Sequence, residues 1–231
     1  MKSQQSGFTL VEIAIVLVII GLLLGGILKG QELINSAKVK NLANDFRTIP
    51  TYIYGFQDKY KALPGDDALA STHVNGATNA TTPATSQGNG VINGNWNTTT
   101  NTDESFLFWQ HVRLANLAAG PTAVADADYI PKNGVGGKIG VSSATGAQLQ
   151  ISGMSGTYQI CSEGILGKFV KQLDTQMDDG NTASGSMRAV AGGSALGTAA
   201  TTTATIDDAT EFGAILTAAG VTGVSVTTSS G

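Results

Sequence analysis

From Phe8 to Leu28 the chain runs 21 residues with a single charge, Glu12, placed near the start. About twenty apolar residues at helical rise cover ~30 Å, the thickness of a bilayer core. Leu10, Val11, Ile13, Ile15, Val16, Leu17, Val18, Ile19 and Ile20 surround the axis. A helix apolar on every side belongs in lipid or in a protein core. Beyond Lys29 the pattern changes but its period does not. Val39, Leu42, Phe46, Ile49, Ile53, Phe56 and Tyr60 recur at alternating spacings of 3 and 4, with charged and amide residues elsewhere. That seam predicts an amphipathic continuation of the same helix; a coiled coil is the rival reading. One helix from Phe8 to about Tyr60 would be ~80 Å long. Pro50 lies inside the seam and should bend it. Gly21, Gly25, Gly26 and Gly30 form two successive small-xxx-small pairs, Gly21/Gly25 and Gly26/Gly30. Such pairs let helices approach closely in a membrane, and they weaken the helix that carries them.

After Lys61 the helical period stops. Leu63-Pro64-Gly65-Asp66-Asp67 is a turn signal, and residues 71–102 are rich in Thr, Asn, Gly, Ala and Ser. They read as a long polar surface loop with little core of its own. Thr102-Asp103-Glu104 opens a second helix, with Phe106, Trp109, Val112 or Arg113, and Leu117 on one side and Gly120-Pro121 as its stop. Short β-type runs follow at 138–141, 148–151 and 157–161, which predict an antiparallel meander. A third helix is expected from Glu163 to about Met177, and a strand over 187–190. Asp208 and Glu211 have capping-box spacing for a helix ending near Gly220. Val221–Thr228 could form a last strand. The expected fold is α+β: a long N-terminal helix packed on an antiparallel β-sheet, with long polar loops.

The start of the chain carries the chemistry. Residues 1–7 are polar, include Lys2, and end at Gly7; no A-x-A-like cleavage site follows the apolar run. A carboxylate in hydrocarbon is costly unless something pairs with it. Cutting after Gly7 would create an α-amine on Phe8, one helical turn from Glu12. That amine, on the same or a neighbouring chain, is the natural partner. Lys2 favours a cytoplasmic N-terminus with the rest exported, Lys29 on the far side notwithstanding.

Gly7-Phe8-Thr9-Leu10-Val11-Glu12 followed by an apolar helix resembles the class III signal of type IV pilins and type II secretion pseudopilins. Tyr60 ahead of Leu63-Pro64-Gly65-Asp66 is similar to a stretch found in some pilin-like proteins. The resemblance implies a leader over 1–7, cleavage after Gly7 by a prepilin peptidase and N-methylation of Phe8. It also implies a helix over 8–60 (8–28 in membrane or filament core, 29–60 amphipathic) and a globular β-rich domain over 61–231. Glu12 then guides docking of each new subunit, and Gly21, Gly25, Gly26 and Gly30 are helix-packing candidates. The implied protein is a homopolymeric subunit of a type IV pilus-like extracellular filament. It waits in the inner membrane, in contact with lipid, until pilus or type II secretion assembly machinery extracts it. A secretion pseudopilin and a minor tip pilin acting in adhesion are the alternatives.

Charge and candidate sites sharpen this. Net charge is −4, and from Lys61 onward there are 7 basic and 13 acidic residues, so no electrostatic footprint for nucleic acid exists. Cys161 is the only cysteine, which excludes an intrachain disulfide and departs from the many pilins that staple a C-terminal loop. His73 and His111 have no metal-spaced partner, and no nucleophile–base set can be assembled, so the expectation is not an enzyme. Asp174, Asp178, Asp179 and Asn181 cluster where the third helix should end. Hard cations want several oxygens from such a turn, and some pseudopilins bind calcium near the C-terminal part of the sheet. Calcium is the cofactor candidate, against an Asp-rich turn held by its own backbone hydrogen bonds.

Overall fold

A computed structural model describes residues 9–144, 151, 154, 156–191, 208 and 211–218. The chain divides into two compact units, Met1–Lys38 and Val39–Gly231. Helix α1, Leu10–Tyr60, contributes to both. In the first unit it leaves its apolar side chains bare, as its composition requires: Leu22 is 73% exposed and Leu28 67%. In the second unit the 3-and-4 seam is buried, with Val39, Leu42, Phe46, Ile49, Ile53 and Phe56 inside the core. Pro50 lies within α1, which continues past it to Tyr60.

Among the described residues four strands form one antiparallel sheet: β1 Ile139–Ser142, β2 Tyr158–Leu166, β3 Met187–Ala191 and β4 Glu211–Ala218. Their order is β1-β2-β4-β3, and β1 and β2, the first and last of the three runs expected to form a meander, pair antiparallel. The last strand inserts between β2 and β3, pairing Ile160 with Leu216 on one side and Ala189 with Ala214 on the other. This corrects the helix expected from Asp208 to Gly220. Two ladders of backbone hydrogen bonds outweigh a local capping signal. The third helix is also shorter than expected. Residues 163–166 belong to β2, which carries a bulge between Ser162 and Ile165, and α4 spans Gly167–Met177. The strand expected at 148–151 falls largely outside the described residues, as do 192–207 and the strand expected at 221–228.

The segment expected to be a surface loop is a folded part of the core. It includes a short helix, α2 (Ala70–His73), and buries Ala77, Ala80, Ile92 and Trp96. The reason lies in α3, Glu104–Leu114, where every residue from Glu104 to Arg113 is buried. The helix stops six residues before Gly120. Asn116 takes a left-handed φ of 60°, while the N–H groups of Asn116 and Leu117 reach back to the carbonyls of Arg113 and Val112.

A helix buried on all sides must find partners for its polar side chains within the protein. Those of α3 find them in the surrounding segments. Glu104 accepts from the Asn93 N–H at 2.7 Å, the Asn93 amide at 3.0 Å and the Ser86 hydroxyl at 3.3 Å. Gln110 accepts from Thr78 N–H and donates to the Thr122 carbonyl. Arg113 donates to the carbonyls of Pro121 and Tyr129, with its guanidinium over the Trp109 and Tyr129 rings. Next to Glu104, the Asp66 carboxylate gathers the N–H groups of Gly88, Asn89 and Gly90. Burial lifts the Glu104 carboxyl to about 7, and burial also raises that of Asp66.

Candidate functional site

The apolar first half of α1 begins with a closed hydrogen-bond pair. Thr9 stands just before the helix, and its N–H and hydroxyl both donate to Glu12, at 2.8 and 2.7 Å. In return the Glu12 N–H donates to the Thr9 hydroxyl at 3.3 Å. This is a capping box, S/T-x-x-E, which satisfies two of the helix's orphan donors reciprocally. Docking and pairing with a Phe8 amine, the roles expected of Glu12, leave Thr9 unassigned, although its Thr-x-x-Glu spacing is a capping signal. Glu12 is therefore provided for within its own chain. A second chain offering a cationic group competes against two neutral donors, a contest that a charge-assisted bond wins in a dry environment.

Gly7 and Phe8 lie outside the described residues. Gly21, Gly25, Gly26 and Gly30 are all helical, and a Cβ built on any of them meets nothing within 4 Å. The fold of this chain does not need glycine at those four positions. Lys29 pairs with Glu32 at 2.6 Å on the exposed surface, where the apolar run gives way to polar sequence. Leu33 and Ile34 beyond it remain more than half exposed.

Among the described residues one helix, α1, is long and apolar enough to cross a membrane by length and composition. None of its most apolar 18-residue window is buried by the chain itself. An apolar surface of that size in water drives aggregation, so it fits insertion into a membrane before assembly.

The aspartates at the end of α4 come together as the sequence suggested. One carboxylate oxygen from each of Asp174, Asp178 and Asp179 lies within 4.8 Å of the others. Asn181 does something else: its side-chain oxygen accepts the Ala183 N–H at 3.2 Å, and its own N–H donates to Asp179. The two histidines are structural. His111 accepts the Gly65 N–H at Nδ1, and its Nε2 lies 2.8 Å from the Thr78 carbonyl oxygen. His73 pairs with Asp67 at 2.7 Å and stacks on Tyr60. Cys161 is buried in β2, and burial pushes its thiol well above the usual range, away from nucleophile chemistry.

Residues 2–28 match the prokaryotic N-terminal methylation motif. No curated protein and no solved structure matches the chain. The motif implies processing by a peptidase and assembly into a pilus or a pseudopilus. It covers residues 2–9 and the bare apolar stretch of α1, within a fold of one long helix and a small antiparallel sheet. The chain thus carries the class III prepilin signal, ahead of an α+β fold of one long helix and a small antiparallel sheet that is consistent with a pilin-like fold.

Proposed function

We propose that this protein is the repeating subunit of a type IV pilus-like extracellular filament, and that its role is assembly, with no reaction of its own. A prepilin peptidase removes residues 1–7 and the new Phe8 amine is methylated. The subunit then waits in the inner membrane as a single-pass protein. When the assembly machinery extracts it, apolar helices of neighbouring copies replace lipid around Leu10–Leu28. Glu12 exchanges its Thr9 partner for the Phe8 amine of the next subunit. The observation that carries this reading is the bare apolar face of α1, interrupted by one carboxylate at its start.

The four glycines support it, since space that the chain does not fill itself is available to a second helix. Glu12 favours a body subunit over a tip subunit, some of which lack that acid. The acidic exported half favours protein contacts over nucleic acid.

Mass spectrometry of the mature N-terminal peptide tests the processing step: N-methylated Phe8 is expected, and an intact Met1 rejects it. Electron microscopy of sheared cell-surface material then separates the forms of assembly. Long fibres containing this chain support the pilus. Retention of the chain in the periplasm, with secretion lost on gene deletion, identifies a pseudopilin. Normal fibres with lost adhesion on deletion identify a minor tip subunit.

A further inference from the structure

Asp45 lies three residues after Leu42 and four before Ile49, on the flank of the buried seam of α1, where a core-facing helix ordinarily carries an apolar side chain. Its Oδ2 is buried and has no hydrogen-bond partner. The N–H of Gly134 favours its charge, but burial outweighs that help and lifts the carboxyl to about 6. Among the described residues Asp45 forms no ion pair. An acid short of a donor at such a place is costly to the fold.

The space beside it is a cleft of about 140 Å³, walled by α1, by α3 and by the segment that leads into β1. Arg113, on α3, lines the same cleft. It is 6% exposed, gives Nη1 to the carbonyls of Pro121 and Tyr129, and keeps Nε without a partner. Among the described residues no carboxylate lies within ion-pair distance of its guanidinium. Lys132 is also in the lining, and Asp128 engages its Nζ at 2.8 Å. Much of the remaining wall is apolar, with Ile49, Ile139 and the Trp109 ring all buried. The cleft therefore joins an acid short of a donor, a base short of an acceptor and an apolar surface. A ligand that is only a cation would meet Arg113 and Lys132, and one that is only an anion would meet Asp45. A small molecule carrying both signs answers both.

We propose that this cleft binds a free α-amino acid with an apolar side chain, its ammonium donating to Asp45, its carboxylate accepting from Arg113, and its side chain lying against Ile49, Ile139 and Trp109. The volume suits one amino acid, since sites for drug-sized ligands begin at roughly 300 Å³. Both polar contacts are charge-assisted and sheltered from water, which makes them strong and selective. An analogue lacking either charge leaves a buried group unpaired, so rejection of such analogues is steep. The lining residues all belong to the Val39–Gly231 unit. Binding thus needs neither leader removal nor polymerisation, and its test stands apart from the filament reading.

The full chain, purified in detergent, is titrated with L-phenylalanine and L-leucine while calorimetry counts sites. One site is expected for at least one of the two. Phenethylamine and hydrocinnamate, or isoamylamine and isocaproate in the leucine case, keep the side chain and lose one charge. They should bind about tenfold or more weakly than the parent amino acid. Asp45→Asn keeps the shape and removes the charge. It should melt no lower than the parent and weaken binding by a similar factor. Ala119→Phe adds bulk at an exposed position of the lining, so the chain should fold normally and lose binding. The proposal is overturned if neither amino acid binds, if an analogue with one charge binds as tightly as its amino acid, or if either folded variant keeps the parent's affinity.

Discussion

The backbone N–H of Gly65 donates to Nδ1 of His111 at 2.9 Å, across 46 residues of sequence. This contact ties the turn that ends α1 to the centre of α3. His111 must be neutral to accept it, with its proton on Nε2 facing Thr78, and burial holds its pKa below the ordinary value accordingly. Replacing His111 with Ala strands two buried backbone groups and opens a cavity, at a cost of about 3 kcal/mol. Urea unfolding of the globular unit, followed by tryptophan fluorescence, measures it. Gly65→Ala should be as damaging for a different reason. Gly65 has φ 92°, and a Cβ there would strike the Glu104 carbonyl oxygen.

Acidity should act on this unit against the usual trend. Glu104 and Asp45 are raised by burial, to about 7 and about 6. A carboxyl whose folded pKa lies above its unfolded value binds protons more tightly when folded. Its contribution is complete below about pH 4.5 and is lost as pH rises through 7. For Glu104 alone that loss is ~3 kcal/mol between pH 4.5 and 8. His111 runs the other way, removing stability as pH falls below its unfolded pKa of about 6.5. The melting temperature of the full chain in detergent should therefore fall between pH 6.5 and 8. Glu104→Gln should flatten that decline; an unchanged slope in the variant refutes the assignment.

The two roles of Glu12 separate by substitution. Glu12→Gln keeps an acceptor for Thr9 but loses the charge that pairs with a neighbour's amine. Filament yield from sheared cells should collapse in both Glu12→Gln and Glu12→Ala. Thr9→Val removes the hydroxyl of the capping box and leaves the charge, so fibres should persist. Equal yields from all three variants and the parent would leave the pairing without support.

Glycine positions in the bare half of α1 give a further contrast. Gly25→Ala meets no atom of its own chain and should raise helix stability by ~1 kcal/mol, seen as higher helicity in detergent. Gly25→Leu should be tolerated by the isolated subunit yet lower filament yield, since it fills space that a neighbouring helix would use. Cryo-EM of the filament reports directly on the same stretch. If these glycines mark a point where α1 yields on assembly, its density should lose helical order between Gly21 and Gln31.

The long N-terminal helix was legible from local pattern. Twenty-one residues with one charge, and then a seam at spacings of 3 and 4, define α1 because a helix writes its environment into sequence at its own period. Glu12 stood out because a lone acid in such a run has no local excuse. Beyond Lys61 the deciding interactions link residues far apart in the chain. Asp66 reaches Gly88–Gly90, His111 reaches Gly65 and Thr78, and β4 gains two partners from strands that precede it. No window of sequence contains both ends of such a contact, so a polar stretch looked like a surface loop and a strand looked like a capped helix. The aspartates after α4 fall between the two cases. Their proximity follows from spacing, but the burial of Asp174 without a partner depends on how β3 returns against the helix end, which tertiary structure alone decides.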